Sequence, residues 1–274
     1  MSHADGGMEE IEADILRNML QVLFGESAAY IGDAVETMPE RRRANVVRLC
    51  KIALKRLGAA VSTPAEIPPR VVGLLLNEGS FIRGTVSSEY WGGALSCARG
   101  PNPRDDRAAR WLHLLSRLGE YELRSHYLLY SSMRVNVMLY RDPGNIDFNG
   151  DTMGIATFIP LQHYIAAMDY NQDETERVHY LNSAMLYSLG QEHLVGGSNR
   201  GPEEYLREQF RTNATDIIKG DGIVFAPSLL GTRLFLTAFG RADVDERFIL
   251  DPGLDCAVDG VPVVVNDSGL VYAG

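Results

Sequence analysis

The chain reads as a mainly α-helical bundle with a small β element near its C-terminal end. Three observations predict this. The first third carries apolar residues at helical spacing, the stretch 160–193 returns to the same period, and only the last fifty residues mix short strand-like runs with helix. A turn-rich stretch, "RDPGNIDFNGD" at 141–151, divides a helical domain over 1–140 from a second region over 151–274, which is helical and then strand, helix and hairpin.

The elements follow in order. From Met8 to Phe24, Ile11, Ile15, Met19, Val22 and Leu23 repeat at helical spacing, and Glu9, Glu10, Glu12 and Asp14 suit the positive end of the helix dipole. A second helix is predicted over 40–57, where Val46, Val47, Cys50, Ala53, Leu54 and Leu57 form one stripe and Gly58 ends it. "STPAEIPP" is a proline-rich joint. Pro69 then opens a helix through "RVVGLLLNEGSFI", since a proline in the first turn loses no needed hydrogen bond.

The stretch "EYWGGALSCARGPNPRDDRAARWLHLLSRL" reads as a helical hairpin. Gly92–Gly93 costs its first helix roughly 1–2 kcal/mol of propensity, which implies close packing against another helix. "RGPNPRDD" is loop chemistry. Asp105 or Asp106 then caps a helix with Ala108, Trp111, Leu112, Leu115 and Leu118 on its inner side, and Trp91 and Trp111 are expected to be buried facing each other's helices. Adjacent aspartates at a helix start point in different directions, so capping explains them better than paired-carboxylate catalysis. After Gly119, "EYELRSHYLLYSSM" resumes as helix with Leu123, Tyr127 and Tyr130.

Further on, "PLQHYIAAMDY" and "ETERVHYLNSAMLYSLGQEHL" are helical, and Pro202 opens another helix after the glycine-rich "VGGSNRGPEE". "GIVFA" at 222–226 suits a strand and "SLLGTRLFLTAFGR" a short helix. "VPVVVNDSGLVYAG" reads as a hairpin turning at Asn266–Asp267–Ser268–Gly269.

Bulk composition narrows the function classes. With 45% apolar and 23% charged residues, the 274-residue chain has ordinary globular composition, and its net charge of −10 argues against a generally basic nucleic-acid-coating protein. No run reaches the ~18–20 apolar residues of a membrane span, and the first residues lack the pattern of a signal peptide. Cys50, Cys97 and Cys256 are odd in number and unpaired in spacing, which favours buried thiols in a cytoplasmic protein over a disulfide scaffold or zinc site.

Three stretches resemble the Abi-alpha family, bacterial proteins named for abortive infection of phage-infected cells. They are "KIALKRLGAAVSTPAEIPPRVV", "LLLNEGSFIRGTVSSEYWGGALSCA" with Trp91 placed like the family's Trp, and "GIVFAPSLLGTRLFLTAFGR". The resemblance spans residues 40–240 and departs from the pattern at Gly92–Gly93. It implies a helical protein connected to antiphage defence and supplies no reaction and no catalytic residue.

Chemical motifs are weak by comparison. Glu176 and His179 stand at i,i+3 as in di-iron bundles, but no second Glu-x-x-His accompanies them. Asp147, Asn149 and Asp151 open like a calcium loop, yet Thr152 and Phe158 occupy the positions that need Gly and Glu. No Gly-x-Ser-x-Gly or phosphate-binding glycine loop occurs. No cofactor or metal site is therefore expected, and catalysis is the lesser expectation. A helical enzyme with a site near His163, His179 and His193 is the remote alternative.

The sequence lead is the basic helix. Arg41, Arg42, Arg43, Arg48, Lys51, Lys55 and Arg56 lie opposite its apolar stripe with only Glu40 nearby. Such a helix binds an acidic protein partner, nucleic acid or anionic lipid, or it offsets the acidic first helix. The resulting expectation is a non-enzymatic interaction protein in antiphage defence, partnered by another protein or by self-association through these seven cations. The alternative is a nucleic-acid-binding regulator that uses the same helix.

Overall fold

The computed structural model describes residues 3–63, 65–102, 105–140, 154–210 and 216–271. The architecture is mainly α-helical, with a four-stranded antiparallel sheet in the C-terminal part. The chain forms two compact units, one of residues 1–118 with 237–243 and the other of 119–236 with 244–274. The 141–151 turn region, with Asp147, Asn149 and Asp151, lies outside the described residues.

The first unit contains α1 (His3–Phe24), α2 (Ala28–Glu36), α3 (Glu40–Leu57), α4 (Pro69–Asn77), α5 (Thr85–Cys97) and α6 (Arg107–Ser116). Helix α3 has the bounds its sequence predicts: Pro39 precedes it and Gly58, at φ +51°, follows it. Its apolar side, Val46, Leu49, Cys50 and Ala53, is buried. Helix α4 opens on Pro69 as expected. The glycine pair of α5 is where backbones meet. A Cβ on Gly92 would lie 2.5 Å from Ile52 Cγ2 of α3, and one on Gly93 would lie 1.9 Å from the Ala238 carbonyl oxygen. Helix α2 has no counterpart in the sequence reading.

The hairpin of α5 and α6 differs from expectation in one respect. Trp91 is buried, with its ring beside Leu49 and Leu75 around Gly79. Trp111 is only half-buried, because Ala108, Ala109, Leu112 and Leu115 occupy the inner face of α6 and leave position 111 on its flank. Asp106 stands at the cap position without a side-chain cap bond, while Asp105 accepts the Arg107 backbone N–H at 3.3 Å. Just beyond α5, Arg99 donates to the carbonyls of Val22, Ala60, Val61 and Thr63. One guanidinium thereby satisfies the chain end of α1's last turn and the linker after α3.

The second unit contains α7 (Glu120–Tyr140), β1 (Ala156–Pro160), α8 (Leu161–Met168), α9 (Val178–Gln191), β2 (Val195–Gly201), α10 (Glu203–Gln209), β3 (Gly222–Pro227), α11 (from Leu229) and β4 (Gly269–Val271). The strand order is β2-β3-β1-β4, with Phe158 opposite Val224 and Thr157 opposite both Phe225 and Leu270. Phe158, Val224, Val271, Leu206 and Ile218 form one buried cluster on the α10 side of the sheet. The expected C-terminal hairpin does not form. β4 pairs with β1, and the run before it is drawn away because the Val265 N–H donates to Ser132 of α7 at 2.9 Å. Pro262 also removes one ladder donor from that run.

Helix α7 is buried through its middle, from Ser125 to Arg134, including Ser125, His126, Ser131, Ser132 and Arg134, and again at Asn136. The His126 ring stacks on Tyr130 with centroids 4.4 Å apart and hydrogen-bonds the backbone of Gly231. Burial pushes its pKa from 6.5 down to about 3.

Two predictions follow from these contacts. Gly93→Ala should lower stability by more than the ~1–3 kcal/mol of ordinary overpacking, because the new methyl meets backbone rather than a movable side chain. Gly73→Ala, in α4 with open space around it, should gain about 0.8–1 kcal/mol from helix propensity. Urea unfolding of both variants checks the opposite signs. For His126, both folded and unfolded states are neutral above pH 6.5, and below it only the unfolded chain takes up a proton until about pH 3. Stability should therefore fall as pH drops through that window. The slope of melting temperature against pH should be shallower there in His126→Leu, whatever its absolute stability.

Candidate interaction surface

The seven cations of α3 do not form one surface. Three of them are built into the first unit. The Arg42 guanidinium lies 4.2 Å over the Phe81 ring, donates to Ser80 Oγ at 2.9 and 3.0 Å and reaches the Leu76 carbonyl at 3.0 Å. Arg48 donates to the Ile82 carbonyl at 2.6 Å and to Asn45 Oδ1 at 3.1 Å. Arg56 pairs with Glu89 of α5 at 2.5 Å and lies 4.8 Å from the Phe239 ring, with 5% of its side chain exposed. These arginines flank the buried stripe of α3, so their stems run along the apolar packing and their heads meet neighbouring carbonyls and a carboxylate.

The other four cations, Arg41, Arg43, Lys51 and Lys55, are exposed and have no ion pair or hydrogen bond to a described side chain. Lys51 and Lys55 stand at i,i+4 on the outermost face, and Arg41 and Arg43 flank the first turn. At 1.5 Å per residue the four span about 21 Å. Asp14, one of the acids expected to offset them, pairs instead with Arg17 of its own helix at 3.0 Å. The side chains of Glu9, Glu10 and Glu12 lie outside the described residues.

The alternative sites are dispersed. Asp105 forms an ion pair with Arg107 at 2.7 Å that holds its carboxyl below the usual range, while Asp106 pairs with Arg70 at 2.9 Å. The two carboxylates thus serve different arginines. His179 accepts from Arg200 at 3.1 Å, His163 lies 3.0 Å from the Asn266 carbonyl and 3.4 Å from Asp267, and His193 sits at φ +56°. They belong to separate surroundings. Glu176 and His179 gain no further ligands, and among the described residues no group of three or more His, Cys, Asp or Glu could hold a metal ion. Burial pushes the Cys50 thiol up to about 12 and the Cys97 thiol up to about 11, so neither is a ready thiolate at neutral pH.

The second unit has an open cleft of about 560 Å³ between β1, β4 and the segment 216–219. Phe158, Ile217 and Leu270 make its apolar floor, and His163, Lys219 and Asp267 its rim. Ser268, also on its wall, accepts from Asn136 Nδ2 at 2.8 Å. That contact directs the hydroxyl oxygen toward α7.

No family model, no curated protein and no solved structure matches the chain. No helix among the described residues is long and apolar enough to cross a membrane.

The division of the seven cations has a measurable consequence. Arg56→Gln leaves Glu89 without its partner and should cost about 3–5 kcal/mol, whereas Lys51→Gln and Lys55→Gln should each stay within about 0.5 kcal/mol of the parent. Equal losses in denaturant unfolding would erase the distinction between built-in and free cations.

Proposed function

We propose that this chain is an interaction protein without a chemical step of its own, and that it docks an acidic protein partner on the exposed face of α3. One observation carries the reading: Arg41, Arg43, Lys51 and Lys55 remain on the solvent side after the fold has used Arg42, Arg48 and Arg56. Exposed cations with no ion pair to a described side chain, in a chain of net charge −10, form a local contrast that steers an acidic surface to one place. The resemblance of residues 40–240 to the Abi-alpha family supports placing this interaction in bacterial antiphage defence.

The same four cations suit phosphates, and salt separates the two partners. Duplex DNA bound through four phosphate contacts would lose affinity steeply with salt, with a log–log slope of about −3 to −4. The experiment is phage challenge of bacteria that express the parent or the Arg41/Arg43/Lys51/Lys55→Glu variant, alongside duplex-DNA titration at two salt concentrations. The variant should keep the parent's melting temperature and cellular abundance, lose protection entirely, and the parent should bind no DNA. Undiminished protection by the variant would remove α3 from the function, and salt-steep DNA binding by the parent would replace the acidic protein with nucleic acid.

A further inference from the structure

The cleft of the second unit has two walls, and the fold holds each of them in place. One wall is the turn 265–269. Its Val265 N–H donates to Ser132 at 2.9 Å, its Ser268 hydroxyl accepts from Asn136 at 2.8 Å, and His163 Nδ1 lies 3.0 Å from the Asn266 carbonyl oxygen. Between these anchors Asp267 stands at φ +56°, a left-handed conformation that aspartate tolerates. The other wall is the segment 216–221. Arg207 donates to the Ile218 carbonyl at 2.9 and 3.2 Å, Glu203 accepts the Gly220 N–H, and the Asp221 carbonyl accepts the Leu161 N–H at 2.9 Å. A Cβ on Gly269 would lie 2.7 Å from Ile217 Cγ2, so this glycine lets Ile217 lie directly on β4. A site pinned in this way is preformed and spares a ligand part of the ordering cost.

The charges on the two walls select the occupant. On the turn, His163 Nδ1–H is engaged by the Asn266 carbonyl, with Asp267 Oδ2 at 3.4 Å from the same nitrogen. What remains is the Asp267 carboxylate and, in the neutral ring, the Nε2 lone pair, so this wall takes a hydrogen-bond donor. On the facing wall Lys219 is exposed, with no ion pair to a described residue, and its ammonium takes an anion. With Asp216 the rim holds two carboxylates against one ammonium, which rejects a plain anion. A plain cation would leave Lys219 unanswered. Between the walls lies the apolar floor of Phe158, Ile217 and Leu270, and the volume of about 560 Å³ has room for more than one amino-acid residue.

We propose that this cleft binds a short apolar peptide with free ends. The peptide's ammonium meets Asp267 and His163, its carboxylate meets Lys219, and its side chains cover Ile217 and Leu270. A di- or tripeptide spreads its terminal charges over roughly 7–10 Å, comparable with the ~8 Å edge of a cube of 560 Å³. A single amino acid holds its two charges too close together to serve both walls. The site belongs to the second unit alone, so it stands independently of the docking face on α3.

Equilibrium dialysis of the full chain against leucyl-phenylalanine and phenylalanyl-leucine tests the site. The parent should bind at least one of them saturably, one per chain. Acetylating its amine or amidating its carboxylate should each weaken binding about tenfold or more, the worth of a charge-assisted hydrogen bond. Asp267→Asn, which keeps a residue that tolerates the left-handed backbone, and Lys219→Gln should weaken it similarly at an unchanged melting temperature. The two losses should also be specific. Lys219→Gln should no longer distinguish the free acid from the amide, and Asp267→Asn should largely cease to distinguish the free amine from the acetylated form. Binding of neither peptide at millimolar concentration would overturn the proposal. So would glycyl-glycine binding as tightly as the apolar peptides, or a loss in Lys219→Gln that is equal for acid and amide.

Discussion

The second unit depends on α7 satisfying a chain that has almost no regular structure. Residues 251–268 form neither helix nor paired strand apart from one isolated bridge, so their backbone groups need partners from elsewhere. Arg134 donates to the carbonyls of Ile249, Asp251 and Leu254, and Tyr127 donates to that of Cys256. Ser132 accepts the Val265 N–H, and Asn136 reaches the Ser268 hydroxyl. Each is a buried side chain on one helix. A guanidinium almost wholly withdrawn from water is tolerable because carbonyl dipoles replace its hydration, and those same bonds hold the C-terminal path that delivers β4 to β1.

The first unit uses the same device with different residues. Arg42, Arg48 and Arg99 all donate to main-chain carbonyls of helix ends or connecting segments. The planar fork of arginine can reach two or three acceptors at fixed angles, which a lysine ammonium on a flexible stem does not pre-organise. This chemistry accounts for the division on α3. Both of its lysines stay outside, whereas three of its five arginines turn inward at the edges of the apolar stripe.

Much of the helical architecture could be read because its signals were local. Pro39 and Gly58 bracket α3, Pro69 starts α4, and the paired glycines of α5 marked a close backbone approach before any partner was known. The sheet was harder. β1 is five residues long and runs straight into α8, so its period never separates from the helix that follows. β2 is glycine-rich and owes its strand conformation to the ladder with β3. The candidate surface was half readable: all seven cations were visible in the sequence, but their acceptors at 76–82 and at Glu89 lie more than thirty positions away. On α9 the burial of Asn182 and the exposure of Tyr180 and Tyr187 reverse what residue type alone suggests.

The exposed cations of α3 and its built-in arginines answer to salt differently. Arg41, Arg43, Lys51 and Lys55 project a field over roughly a Debye length, about 8–10 Å at physiological salt, which weakens as salt rises. Arg42, Arg48 and Arg56 meet carbonyls and a carboxylate at hydrogen-bond distance inside the first unit, where screening is slight. Added salt should therefore weaken any association through α3 while leaving the stability of the first unit nearly unchanged.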